Sequence, residues 1–200
     1  MKWFAWTRKW GCTMISAVFD ACVLYSAALR GLLLRLASAG LVHPFWSEEI
    51  QNEWTRSLLR NRPDITWESL EQTCRKMDAH FPHGLVRGYE SIIPALQLPD
   101  SDDRHVLAVA IQTKAEYIVT SDLNHFPNTI LRFYNIEALS PDDFILRLIQ
   151  KEPNRVLRAV RNHRSGLTRP SQTVDEYLAT LEKQGLSNTV AFLREHKAAI

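Results

Sequence analysis

Apolar positions along the chain follow two spacings that alternate. Ala17-Val18-Phe19 is an uninterrupted apolar run that stops at Asp20, after which Val23, Leu24, Ala27, Ala28 and Leu32 to Leu36 recur at helical spacing up to Ser38-Ala39-Gly40. The predicted order is strand, acidic residue, helix. Val42 to Trp46 reads as a second strand. Ser47 then stands as an N-cap with Glu48 and Glu49 in the first turn, where the helix dipole favours them, and Ile50, Trp54 and Leu58 form a buried stripe. Asp64 or Thr66 caps the next helix, whose stripe is Trp67, Leu70, Cys74 and Met77 and which ends before Pro82. Segment 81–98, punctuated by Pro, His and Gly, reads as a loop with one short strand at most.

Past Leu98-Pro99-Asp100-Ser101-Asp102-Asp103 the chain enters a helix with Leu107, Ala110 and Ile111 inward, followed by a strand at Tyr117-Ile118-Val119 and then Thr120-Ser121-Asp122. A final strand is expected from Ile130 to Phe133, extending as far as Leu139. Ser140-Pro141-Asp142-Asp143 is a strong helix start, with a cap, a proline at the first helical position and two acids. Strands alternating with helices over 16–150 imply an α/β layer fold with a mainly parallel sheet, in a domain spanning 15–150. Residues 151–200 read as a small helical appendage. There Thr173-Val174-Asp175-Glu176 forms a capping box, Gly185 ends that helix, and Ser187 caps a last one with Val190 and Leu193 inward.

Composition narrows the class. The 200 residues are 46% hydrophobic and 23% charged, which fits a globular domain of ordinary size. Lys plus Arg number 24 against 22 Asp plus Glu, a net charge of +2, too balanced for a protein that coats nucleic acid by bulk charge. Cys12, Cys22 and Cys74 include no CxxC pair, which argues against a disulfide framework or a zinc knuckle and makes the cytoplasm the default compartment. No run of about 20 apolar residues is present to span a membrane. Residues 1–14 carry three of the six Trp, interrupted by Arg8 and Lys9, and read as a loose tail rather than a secretion signal, with Met14 as an alternative first residue.

The acids carry the chemistry. In an open α/β sheet ligands sit beyond the carboxyl ends of the strands, where Asp20 and Asp122 fall directly. At 100° per residue Glu53 lies about 60° from Ile50, at the margin of its helix's buried stripe, and Asp103 aligns with Leu107 and Ala110 at the amino end of another helix. Four carboxylates at one edge repel unless some are protonated or a hard cation sits among them. Oxygen ligands without a matching His or Cys set select Mg²⁺ or Mn²⁺ over zinc. A cation so held can take phosphate oxygens and activate water, so the expected reaction is phosphodiester hydrolysis.

Four stretches, Val18-Phe19-Asp20-Ala21-Cys22-Val23-Leu24, Ser47-Glu48-Glu49-Ile50-Gln51-Asn52-Glu53, Asp100-Ser101-Asp102-Asp103-Arg104-His105-Val106-Leu107-Ala108-Val109-Ala110 and Val119-Thr120-Ser121-Asp122-Leu123-Asn124-His125-Phe126, resemble in order the motifs of PIN-domain nucleases, and most nearly the VapC-type toxins of toxin–antitoxin pairs. The resemblance covers about 15–150. It implies a PIN-like three-layer fold, Mg²⁺- or Mn²⁺-dependent endoribonuclease activity on tRNA or another structured RNA, a homodimer, and inhibition by a cognate antitoxin. Matched by position, the metal-binding and catalytic acids are Asp20, Glu53, Asp103 and Asp122, with Thr120 as the hydroxyl near the last acid; Asn124, Ser47 and Asp100 are further candidates for supporting residues. The sequence departs from the family pattern at Cys22, where Asn is common, so that one polar contact to the site is expected to be missing. The spacing from Asp122 to Phe126 is also one residue longer than in many relatives.

Other readings are weaker. A phosphatase of the haloacid dehalogenase type needs a second acid two residues after the first and meets Cys22 instead. A receiver domain wants an acidic pair at the first strand. The two terminal helices could form a helix-turn-helix acting on DNA, although the second carries Glu195 and a single Arg, Arg194. A catalytically inactive PIN module is a further alternative. Lys151, Arg155 and Arg158, at i, i+4 and i+7 and extended by Arg161 and Arg164, are candidates for an RNA-binding face; Arg169 belongs to the same basic stretch. His80 and His83 read as loop histidines, and His105 and His125 as polar neighbours of the acids.

Overall fold

The computed structural model describes residues 14–168 and 170–200; the tail at 1–13 and Arg169 lie outside the described residues. Among the described residues five strands form one parallel sheet in the order β3-β2-β1-β4-β5. β1 (Ile15–Phe19) pairs on one side with β2 (Val42–Ser47) and on the other with β4 (Tyr117–Val119), so sheet growth reverses direction at β1. β3 (Leu85–Val86) and β5 (Glu137–Leu139) are the edges. Ala17, Val18 and Phe19 are consecutive and all 0% exposed, which requires cover on both faces of the sheet and makes three layers.

The first predicted helix is two. α1 (Ala21–Tyr25) stops at Ser26, whose extended backbone (φ −75°, ψ 122°) breaks the helix and whose hydroxyl accepts from Leu29 N to start α2 (Ala27–Ser38). Gly40 at φ 71° closes α2: the Leu41 N–H reaches back to Leu36 O and the Gly40 N–H to Ala37 O, a left-handed turn that a Cβ would strain. α3 (Glu48–Asn61) is capped by Ser47, and α4 (Trp67–His80) by Thr66 rather than Asp64. α5 (Arg104–Thr113), buried from His105 to Ala110, packs between β1, β2 and β4 on one side and segment Glu90–Ala95 on another.

Three local expectations are corrected. Segment 130–133 is not strand: α6 (Asn128–Leu131) and a 3₁₀ turn (Arg132–Tyr134) occupy it, and Phe133 is 74% exposed. The apolar letters suggest a strand there, but only Leu131 is buried, so the segment lacks the alternate burial of a half-covered strand. Besides β3, loop 81–98 contains a 3₁₀ helix, Glu90–Ala95. Lys151 does not share a helix with Arg155, because α7 (Pro141–Lys151) ends there and Pro153 begins α8 (Pro153–Gly166).

The last cap is also not Ser187. α10 (Ser187–Glu195) has Leu186 at its N-cap position, and the carboxylate of Asp142 in α7 accepts from Asn188 N (2.9 Å), Asn188 Nδ2 (3.1 Å) and Thr189 N (2.8 Å). A cap supplied from another helix ties α10 to α7. Asp142→Ala leaves the buried Thr189 N–H and the part-buried Asn188 N–H without their acceptor, so an unfolding titration should show a loss of about 2 kcal/mol relative to the parent, with unchanged stability as the contrary result.

The terminal helices are completed by α9 (Val174–Glu182) with its Thr173 capping box; α8 and α9 pack against α2, and α10 against α7 and α9. A Cβ at Gly31 of α2 would stand 2.6 Å from His163 Nε2 of α8, so any larger residue there would have to displace the His163 ring. Nearby, Arg155 Nη2 donates to Ala39 O (2.7 Å) and Gly40 O (3.2 Å), satisfying carbonyls at the end of α2.

Candidate functional site

Because the sheet is parallel, every strand delivers its carboxyl end to the same edge, and the reversal of order at β1 opens a crevice between the β1 and β4 ends. Phe19 pairs with Val119, so the next residues, Asp20 and Thr120, stand side by side. The Thr120 hydroxyl, 0% exposed, donates to Asp20 Oδ2 at 2.7 Å and accepts from Asp122 N at 3.0 Å, linking the two acids across the strand gap. Asp20 Oδ1 accepts from Ala21 N at 2.6 Å, which caps α1. Potential ligand atoms of Asp20, Cys22 and Asp122 lie within 4.8 Å of one another.

Cys22 takes over the contact expected to be missing. Its thiol donates to Asp20 Oδ2 at 3.2 Å, lies 3.4 Å from Thr120 Oγ1, and accepts from Ser121 N at 3.2 Å. Burial and the Asp20 charge push this thiol up to about 12, so it remains a hydrogen-bond donor at neutral pH.

The other two acids come from helices. Glu53 accepts from His105 Nε2 at 3.0 Å; His105 itself is 3% exposed, and its Nδ1 lies 3.7 Å from Glu49 Oε2. Asp103, at the start of α5, makes no capping bond and instead accepts from His125 Nδ1 at 2.7 Å; Asp100 Oδ2 lies 3.9 Å from the same nitrogen. Asp100, Asp103 and His125 thus form a second cluster with ligand atoms within 4.8 Å of one another.

The acids sense each other's charge. Burial raises the Asp20 pKa above the carboxylate range, against the hydrogen bonds from Thr120, Cys22 and Ala21, and the charge of Glu53 raises it further. Burial likewise raises Asp103, opposed by its His125 bond and reinforced by the charge of Asp20. Burial works against a charged His105, but its bond to Glu53 and the charges of Glu53, Glu49 and Asp20 outweigh that and raise its pKa. Asp20 and Asp122 thus lie together, Asp103 sits in the neighbouring cluster and Glu53 stands near enough for its charge to act on Asp20; Asp20 and Asp103 resist ionisation there.

Among the supporting residues Ser47 is fully buried and fixes the start of α3 by accepting from Ile50 N, and Asp100 accepts from Asp102 N. Asn124 is exposed on a 3₁₀ turn (Leu123–His125). Arg155 sits beside Gly40 at the opposite, amino edge of the sheet, roughly 15 Å of strand away from the acids, with its guanidinium bonded to backbone carbonyls. Arg158 and Arg161 are exposed on α8. Helix counting passed over Glu49, held by the hydroxyl of the buried Tyr89 at 3.3 Å; its position one turn before Glu53 was the available signal.

Among the described residues no helix is long and apolar enough to cross a membrane. No solved structure matches the chain significantly. Residues 141–195 match the family model described as the VapC50 C-terminal domain, which begins at α7. A protein of Mycobacterium tuberculosis (strain ATCC 25618 / H37Rv) named "Putative ribonuclease VapC50" is 41% identical over 85 residues, 40% of this chain and 50% of that protein, so the match spans half of the relative's length. Residues 16–124, from β1 through the β4 acids, match the family model described as the PIN domain, and with that match, the five-stranded parallel sheet and the acids at its switch point, the chain belongs to the PIN-domain family.

Proposed function

We propose that this chain is a Mg²⁺- or Mn²⁺-dependent endoribonuclease, the toxin of a toxin–antitoxin pair, which hydrolyses phosphodiester bonds of tRNA or another structured RNA. In this reading it works in the cytoplasm as a homodimer and is restrained by a cognate antitoxin. What supports the reading most is the pairing of Asp20 with Asp122 at the switch point of a PIN fold, with the Asp103 cluster and Glu53 near enough for charge to couple them to Asp20. The name of the mycobacterial relative and the C-terminal match support the choice of RNA and of a toxin.

The donor set fits a hard divalent cation. Crowded, partly buried carboxylates whose pKa values are raised gain most from a neutralising charge, and carboxylate oxygens dominate both clusters. Asp20 and Asp122 would hold it, with Asp103 and Glu53 completing the acidic rim. When bound, such a cation supplies Lewis acidity that makes water nucleophilic at neutral pH and offsets charge on the phosphate. The chain's own contribution is orientation. Thr120 and Cys22 keep Asp20 Oδ2 in place, Thr120 anchors the Asp122 backbone, and His125 fixes Asp103.

A DNA-binding role for the terminal helices fares worse, since the amino end of α10 already carries the Asp142 carboxylate, where a phosphate would have to approach. The direct test is incubation of the full chain with structured RNA in EDTA and after Mn²⁺ is restored. Cleavage is expected only with the cation. Equal cleavage in chelator, or none in either condition, would sink the reading.

A further inference from the structure

The four acids differ in how firmly each is held. Asp20 accepts from three donors. Asp103 accepts from His125, and Asp122 has a short side chain on a backbone anchored by Thr120. Glu53 has one more side-chain torsion than Asp and a side chain 41% exposed, so left alone it would spread over many rotamers. The side-chain hydrogen bond that restrains it comes from His105 Nε2, at 3.0 Å.

His105 is an odd residue for its place. It lies second in α5, two residues beyond Asp103, within a run that is otherwise apolar from Val106 to Ala110, and it is 3% exposed. Its Nδ1 is buried without a hydrogen-bond partner, 3.7 Å from Glu49 Oε2. A side chain kept for packing alone would not bury a polar nitrogen unpaired, because an apolar residue fills the same space without the desolvation cost.

We infer that His105 is a positioning residue: it clamps Glu53 so that the one flexible acid of the four faces Asp20. The inference rests on the metal-dependent reading above. α5 then serves the site twice, through Asp103 directly and through His105 acting on α3.

Mn²⁺ binding to the full chain without RNA, read from the free-ion EPR signal, tests this in four proteins: wild type, His105→Phe, Glu53→Gln and the double variant. His105→Phe should weaken Mn²⁺ binding ten- to hundredfold, the usual effect of losing a ligand's hydrogen-bond partner. His105→Gln, whose amide can still donate to Glu53, should recover most of it. In the Glu53→Gln background His105→Phe should change binding less than twofold, because the clamp has nothing left to hold. Should the Phe variant fail to fold, His105→Asn, with an amide too short to reach, takes its place against His105→Gln. Equal losses in both backgrounds, or unchanged binding in His105→Phe, overturn the inference while leaving the nuclease reading intact. A wild-type protein that binds no Mn²⁺ overturns both.

Discussion

Asp20→Asn should lower metal-dependent RNA cleavage about a thousandfold while leaving the protein folded. The fold survives because the amide oxygen can still accept from Ala21 N and cap α1, and the Thr120 hydroxyl can turn to accept from the new amide. What disappears is the carboxylate at the centre of the site. In the wild type a cation at a hundred times its Kd adds about 2.7 kcal/mol of stability, roughly 5–10 °C in melting temperature for a chain of this size, and the variant should show little of that shift. The metal-free protein should respond in the opposite direction. The raised pKa of Asp20 means that the folded state keeps a proton the unfolded state has released, so stability present below about pH 3.8 is lost as pH rises through the folded value. In chelator, Asp20→Asn should therefore gain on the wild type as pH is raised from 4 to 7. A variant that cleaves at the wild-type rate, or a melting difference that does not move with pH, would show that Asp20 is not the centre of a charged site.

The second large effect lies far from the acids. His163 Nδ1 is hydrogen-bonded to the Tyr177 hydroxyl at 2.8 Å and the ring is wedged against Gly31, so its charged form is disfavoured by burial and secondarily by Arg35, and its pKa falls to about 4. The sign follows from proton counting. Between pH 6.5 and 4 the unfolded chain binds a proton at this residue and the folded chain does not, so stability falls with pH across that window, by about 3 kcal/mol in all. His163→Asn removes the titrating group, and its stability relative to the wild type should rise by that amount on going from pH 6.5 to 4, although it begins lower for want of the ring. Parallel curves for the two proteins would show that His163 is charged in the fold.

Much of the fold was legible because it is written in short-range periodicity. β1, β2 and β4 are apolar runs, the caps at Ser47 and Ser140 and the Thr173 capping box are local hydrogen-bonding patterns, and the α/β class follows from their alternation. Errors arose where composition and periodicity part company, as at 130–133, whose apolar letters look like a strand although a single residue there is fully buried. Ser187 misled for a related reason. A local cap rule could not foresee that Asp142, 46 residues earlier, reaches the end of α10. Arg155 was read as one of a surface row, and its bonds to Ala39 and Gly40 depend on α8 lying against the end of α2.

For the site itself, the chain alone determines that Asp20 and Asp122 end apolar runs and that Glu53 and Asp103 ride on inward-facing margins of helices, since these are properties of neighbours a few residues apart. It is the packed structure that decides the strand order 3-2-1-4-5, and with it that Thr120 touches Asp20 across 100 residues of sequence, that Cys22 supplies the missing polar contact, and that His105 reaches Glu53. Pairings of that kind leave no period in the sequence. They come from which strand edges and helix faces bury the most apolar surface together, a quantity that exists only once distant segments meet.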